Sequence, residues 1–197
     1  MLYICQLDYP DIPYPTHTSE PENERGPHTT VSSSGCGLCA AVMMADRLIP
    51  NTKFNLANAL ELSMANGANA WSGTSYRVLA PILAEKLGLN VEVTGDTKLL
   101  AERLKTGACA VAHCRKRPDG SPATFTAGGH YITVFGVEPD GRFAILDPSQ
   151  KPGKFEEFDR AGKVEVVCGH VCLCAPGVLA EDIAPLGDHG LYIFSRK

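Results

Sequence analysis

Aromatic residues are scarce in this 197-residue chain, 7% of the total with a single tryptophan. Clustered positive charge is scarcer. The densest run is Arg115-Lys116-Arg117, and 18 Lys and Arg face 22 Asp and Glu, for a net charge of −4. A phosphate-backbone binder needs a basic stripe, so no nucleic-acid partner is expected. No apolar run approaches the roughly 20 residues that cross a bilayer, so no membrane span is expected either. The opening Met1-Leu2-Tyr3-Ile4-Cys5 lacks the basic and long apolar regions of an export signal. Internal repeats and low-complexity tracts are also missing.

Cysteine, by contrast, is plentiful, with eight residues at positions 5, 36, 39, 109, 114, 168, 172 and 174. Five of them (109, 114, 168, 172, 174) sit in apolar stretches, where a free cysteine behaves as a small hydrophobe. Without an export signal, reduced thiols and a reducing, cytoplasmic compartment are the expectation. The length fits one domain over 1–197.

Residues 2–7 read as a short strand. Residues 8–34 are polar and carry prolines at 10, 13, 15, 21 and 27. That density forbids a helix, and an extended surface segment approaching the functional face is expected. From Gly35 the character changes. Residues 36–48 (CGLCAAVMMADRL) are apolar nearly all round, the mark of a buried helix. Helices follow at 55–66 and from 74 or 75 to 87, where Pro81 marks a kink or a late start. Next come a strand at 89–94, a helix at 96–105 and a strand at 108–113. Residues 130–137 and 142–146 flank Glu138-Pro139-Asp140-Gly141 and read as a hairpin. Residues 163–174 and 191–195 read as strands, with a helical turn at 178–183. Helices first and mainly antiparallel strands later indicate an α+β fold.

Three places concentrate reactive groups. Cys36, between Gly35 and Gly37, opens the buried helix, where unpaired N–H groups and the positive dipole end favour a thiolate. The glycines allow a sharp turn and let a substrate carbonyl approach. His130 follows Gly128-Gly129 at the start of an apolar strand, with open space before it. Asp147 closes the next strand. If Val137 pairs with Arg142, position 130 lies opposite 149 and Asp147 is its diagonal neighbour on the same face. A slip of one residue would put them on opposite faces. A thiol, a base and an orienting acid are the components of nucleophilic catalysis.

SSSGCGLCAAVMM, GGHYITVFGV and FAILDPS, in this order, resemble the C39-like group of papain-type cysteine peptidases. The likeness lies in the order Cys, His, Asp, in the Gly-Cys-Gly entry to a buried helix, and in the Asp-Pro after the second strand. It runs from Gln6 to Ser149, and residues 150–197 carry strands without a family motif. The resemblance implies a papain-like fold, its nucleophile helix packed on a mainly antiparallel sheet. It implies hydrolysis of a peptide or isopeptide bond in a peptide or protein substrate, with no cofactor or metal. Cys36 is then the nucleophile, His130 the base and acid, Asp147 the orienting residue and Gln6 the oxyanion side chain. Gly35, Gly37, Gly129 and Trp71 would border the substrate. Gln6 stands thirty positions ahead of Cys36, a longer gap than in close relatives of papain.

Other readings exist. An amidase or acyltransferase would use the same triad. Cys36-Gly-Leu-Cys39 is also a C-x-x-C pattern, but residues 29–34 are not the buried strand that a thiol–disulfide oxidoreductase places before it. A binding module on a decayed scaffold would not need all three reactive side chains. Cys168, His170, Cys172 and Cys174 alternate along one strand face about 6–7 Å apart, too far to share one zinc unless the chain folds back at Gly169. Trp71 reads as a loop anchor or a cleft wall. His17, His28, His113 and His189 read as solvent-facing or structural.

Overall fold

The structure is a computed structural model that describes residues 1–21, 29–157 and 159–197; His28 lies outside them. Helix α2 (Cys36–Leu48) forms the centre. One side of it (Ala40, Ala41, Met44, Leu48) meets the sheet. The other (Leu38, Cys39, Val42, Met43) meets Ile4, Tyr14, Val31, Leu56 and Ala59. A helix covered on two sides has no use for a polar face, and each buried Leu, Val or Met contributes roughly 1.5–3 kcal/mol. The short α1 (Val31–Ser34) leads into it, and α3 (Leu56–Ala65) and α4 (Tyr76–Leu87) pack nearby. Pro81 lies within α4 rather than at its start.

The remaining elements are β1 (Leu89–Thr94), α5 (Thr97–Lys105), β2 (Cys109–Arg115), β3 (Gly129–Val137), β4 (Phe143–Leu146), β5 (Val164–Val167), β6 (Val171–Cys174), α6 (Pro176–Ile183), a 3-10 segment (Ala184–His189) and β7 (Leu191–Arg196). The strands form one sheet in the order β1-β7-β2-β3-β4-β6-β5, every pairing antiparallel. Alternation divides the sheet between two layers. Cys109, Val111, Tyr131, Tyr192 and Phe194 meet α2 and α4. Ala110, Ala112, Ile132, Val134, Ile145 and Ile193 meet α5 and α6. This is the expected α+β architecture.

Three local expectations need correction. Residues 2–7 form no strand; the chain turns there in a 3-10 helix, Gln6–Asp8. Ile4 and Gln6 are buried there, but against loops and helices rather than a neighbouring strand. Residues 163–174 are not one strand but the hairpin β5–β6, turned by Cys168 and Gly169 at positive φ (49° and 79°). Cys168 is thus exposed at a turn rather than packed in a strand face. The proline-rich segment ends in α1 and not in extended chain. Its described part lies over the helices, with Tyr14 fully buried and the N–H of His17 bonded to the Trp71 carbonyl at 3.1 Å.

The β3–β4 hairpin sets the site. Near its turn Val137 pairs with Phe143 and Gly136 with Ala144. That is one residue off the expected register and would place Asp147 opposite Thr133, whose hydroxyl bonds the Ala40 carbonyl of α2. A bulge at Phe135 restores the other parity, so Val134 pairs with Ile145 and Thr133 with Leu146. Asp147 thereby shares the face of Ile132 and His130.

Gly37 is packed so closely that a Cβ would sit 2.7 Å from Thr74 Cβ. Thr74 cannot yield freely, because its hydroxyl bonds Tyr14 Oη at 2.8 Å, and Tyr14 Oη also bonds Ser63 Oγ at 2.8 Å. Gly37→Ala is expected to destabilise by about 1–3 kcal/mol, the usual cost of overpacking, measured by urea unfolding.

Candidate active site

Cys36 is the first residue of α2, and Gly35 before it has φ −90° and ψ 11°. Glycine is needed at position 35 for space, since a Cβ would lie 2.6 Å from the Val31 carbonyl oxygen. Cys36 is partly buried and opens on a cavity of about 490 Å³. Trp71, Thr74, His113, Arg115, Gly129 and His130 are among the residues around it. A larger groove of about 870 Å³, lined by Tyr3, Cys5, Lys154 and His170 among others, contains neither Cys36 nor His130.

His130 is buried near the start of β3. Its Nε2 lies 2.7 Å from Asp147 Oδ1 and 3.1 Å from Ser149 Oγ. That leaves Nδ1 for the thiol, and Cys36 and His130 line the same cavity, close enough for each to shift the ionisation of the other. Asp147 is completely buried. Its Oδ1 also accepts from the Ser149 N–H at 2.9 Å, and its Oδ2 from Lys154 Nζ at 2.5 Å. Lys154 Nζ further donates to Ser149 Oγ at 2.8 Å. Tyr3 Oη donates to the Asp147 carbonyl at 2.9 Å while its ring stacks on His170, centroids 4.2 Å apart.

These contacts set the ionisation of the groups. Burial acts to raise the Cys36 thiol, but the hydrogen bond and charge of His130, with the N–H groups of Tyr131 and Gly37, bring it below its ordinary value. Burial acts to lower His130, but the Asp147 charge and hydrogen bond, then Cys36, raise it to about 9. Burial acts to raise Asp147, but His130 and Lys154 hold it well below the usual carboxylate range. All three shifts run toward thiolate, imidazolium and carboxylate.

The structure therefore brings Cys36, His130 and Asp147 into one cluster. Gln6 stands beside it. Its N–H donates to the Pro148 carbonyl and its Nε2 to the Ser32 carbonyl, each at 2.7 Å. Its Oε1 is buried without a hydrogen-bond partner among the described residues. Gly129 and the exposed Trp71 line the cavity, whereas Gly35 and Gly37 lie behind it and serve close packing. His113 is partly buried, stacked on Tyr131 with centroids 4.2 Å apart, and held neutral by burial and by Arg115, with a pKa of about 4. Lys154 escaped the sequence reading. It lies seven residues beyond Asp147 in a polar, glycine-containing stretch, and nothing in that composition distinguishes it from the exposed Lys151. Ser149 was within reach, two residues from Asp147 and opposite position 130 in the expected register.

No family model and no curated protein matches the chain. Among solved structures, one described as a C39-like peptidase from Bacillus anthracis superposes with a TM-score of 0.56. It is 13% identical, with 83% of this chain and 89% of that one covered. The chain has the fold of a C39-like peptidase. The peptidase domain of Streptococcus ComA, a bi-functional ABC transporter involved in a quorum-sensing pathway, gives a TM-score of 0.49 at 18% identity, with 82% and 91% covered. Among the described residues no helix of this C39-like fold is long and apolar enough to cross a membrane.

The electrostatics can be read from thiol chemistry. Alkylation of Cys36 by iodoacetamide is expected to stay fast well below pH 8.5, where an ordinary thiol is mostly protonated. In His130→Ala the rate should instead climb through that region. Rates followed by mass spectrometry of the Cys36 peptide check this.

Proposed function

We propose that the protein is a cysteine peptidase that cleaves amide bonds through a thioester on Cys36. The observation carrying this reading is the juxtaposition on one cavity of a thiol at a helix N-terminus and a histidine whose Nε2 is fixed by a buried carboxylate. Fold likeness alone does not assign an activity; this geometry adds a nucleophile, a base and an orienting group in contact.

The sulfur attacks the scissile carbonyl. The oxyanion forms beside the Cys36 N–H, which opens α2 without an intrahelical acceptor. Gln6 joins that site only by exchanging its bond to the Ser32 carbonyl; as it stands, it secures the turn before Cys36. His130 gives its Nδ1 proton to the leaving amine, then takes one from the water that releases the acid. Acylation needs the imidazolium, so its rate should fall as the pH rises through about 9, where His130 loses its proton.

The C-x-x-C reading is the weaker one. Cys39 is fully buried, and burial pushes its thiol up, so it offers little thiolate to resolve a mixed disulfide. Among the described residues the cavity wall carries Arg115 and Lys116 and no carboxylate, so an acidic side chain near the scissile bond is favoured over a basic one.

A peptide library tests both points. Wild type is expected to cleave, preferring Asp or Glu to Lys or Arg near the cut, while Cys36→Ala and His130→Ala each lose at least about 10³-fold in rate. Near-normal turnover in either variant would end the assignment.

A further inference from the structure

We infer that Lys154 is a positioning residue whose fixed charge neutralises Asp147 while His130 is uncharged, which lets His130 serve as the base in deacylation. The inference rests on the thioester chemistry above and concerns its second half.

Asp147 has no solvent exposure, and a buried carboxylate is costly without a cation. Among the described residues, two cations touch it: His130 at Oδ1, and Lys154 at Oδ2. The other titratable groups around it bring no positive charge. Tyr3, Cys114 and Cys172 are all pushed up by burial and stay protonated and neutral. From β2, His113 faces His130 but is held neutral, and Arg115 and Lys116 lie on the open cavity wall. Lys154 itself is buried, with its Nζ 5.6 Å from the centroid of the Phe155 ring.

Charge then accounts for the second cation. At rest, thiolate, imidazolium, carboxylate and ammonium cancel. In the acyl-enzyme the sulfur is a neutral thioester, and His130 has passed its proton to the amine. Asp147 and Lys154 still cancel. Without Lys154, the buried carboxylate would retain a proton on His130 as its sole counter-ion, and an imidazolium cannot activate water. With Lys154 present, the water oxygen attacks the thioester carbon and its proton passes to His130 Nδ1. The carbon–sulfur bond breaks with its electron pair on Cys36, which restores the ion pair and frees the acid. Ser149, bonded to Lys154, Asp147 and His130 together, holds the ammonium and the ring in fixed relation.

The test uses p-nitrophenyl acetate to acetylate the enzyme and follows loss of the acetyl group from the Cys36 peptide by mass spectrometry between pH 5 and 10. Lys154→Met and Lys154→Gln are expected to move the midpoint of the deacetylation profile upward by at least about one unit. They should be about 10-fold slow at neutral pH and recover in alkali. Lys154→Arg, which keeps the charge, should bring the midpoint back toward wild type. Gln keeps a donor of similar length without the charge, so it separates charge from packing should Met disturb the fold. Midpoints that coincide with wild type in both neutral variants would overturn the role of Lys154. A wild-type protein whose Cys36 takes up no acetyl group would overturn the thioester reading itself, a distinguishable result.

Discussion

The rest of the site depends on one buried carboxylate. Asp147 sits where an unpaired charge would be expelled, and it is kept there by His130, Lys154 and Ser149. Removing one partner of such a buried pair typically costs about 3–5 kcal/mol. The same contacts tie stability to pH in opposite senses at the two ends. Asp147 is held below its unfolded value of about 3.9, so its contribution is present above that value and lost in acid. His130 is held at about 9 against an unfolded value of about 6.5. Its contribution is complete below the lower value and lost as the pH rises through about 9.

The fold delivers this cluster through a small irregularity. The hairpin turn alone would send Asp147 toward the α2 layer. The extra residue at Phe135 reverses the parity and returns it to the face of His130. Phe135 packs, partly buried, against the cores flanking α2, so the bulged residue also contributes apolar contact. At the other end Gly35 and Gly37 bring the start of α2 close to Val31 and Thr74. Backbone spacing at both ends therefore sets where sulfur and imidazole meet.

Much of the fold was legible in the sequence because apolar periodicity reports burial. The all-round apolar α2, the helices around it and the β3–β4 hairpin follow from pattern and punctuation. The strand expected at 2–7 failed because a short, mainly apolar run reports burial without telling whether a sheet or loops and helices provide it. The unbroken strand expected at 163–174 failed because Cys168 adopts a positive φ that its residue type does not advertise. Asp147 was placed on the face of His130 from an incorrect register, and two one-residue shifts cancelled. The contacts of Lys154 were illegible, since a lysine in a glycine-containing loop reads as solvated until tertiary structure closes over it. Gln6 shows the limit from the other side. Its neighbourhood could be inferred from motif order, but the partner of its amide could not.

The central claim is a charged Cys36–His130 pair built on Asp147. Nitrogen-15 NMR titration of the His130 ring measures it most directly. A ring that stays protonated until about pH 9, and whose titration falls when Cys36 is replaced by alanine, is the predicted result. A ring that titrates near 6.5, unmoved by that replacement, would contradict the account.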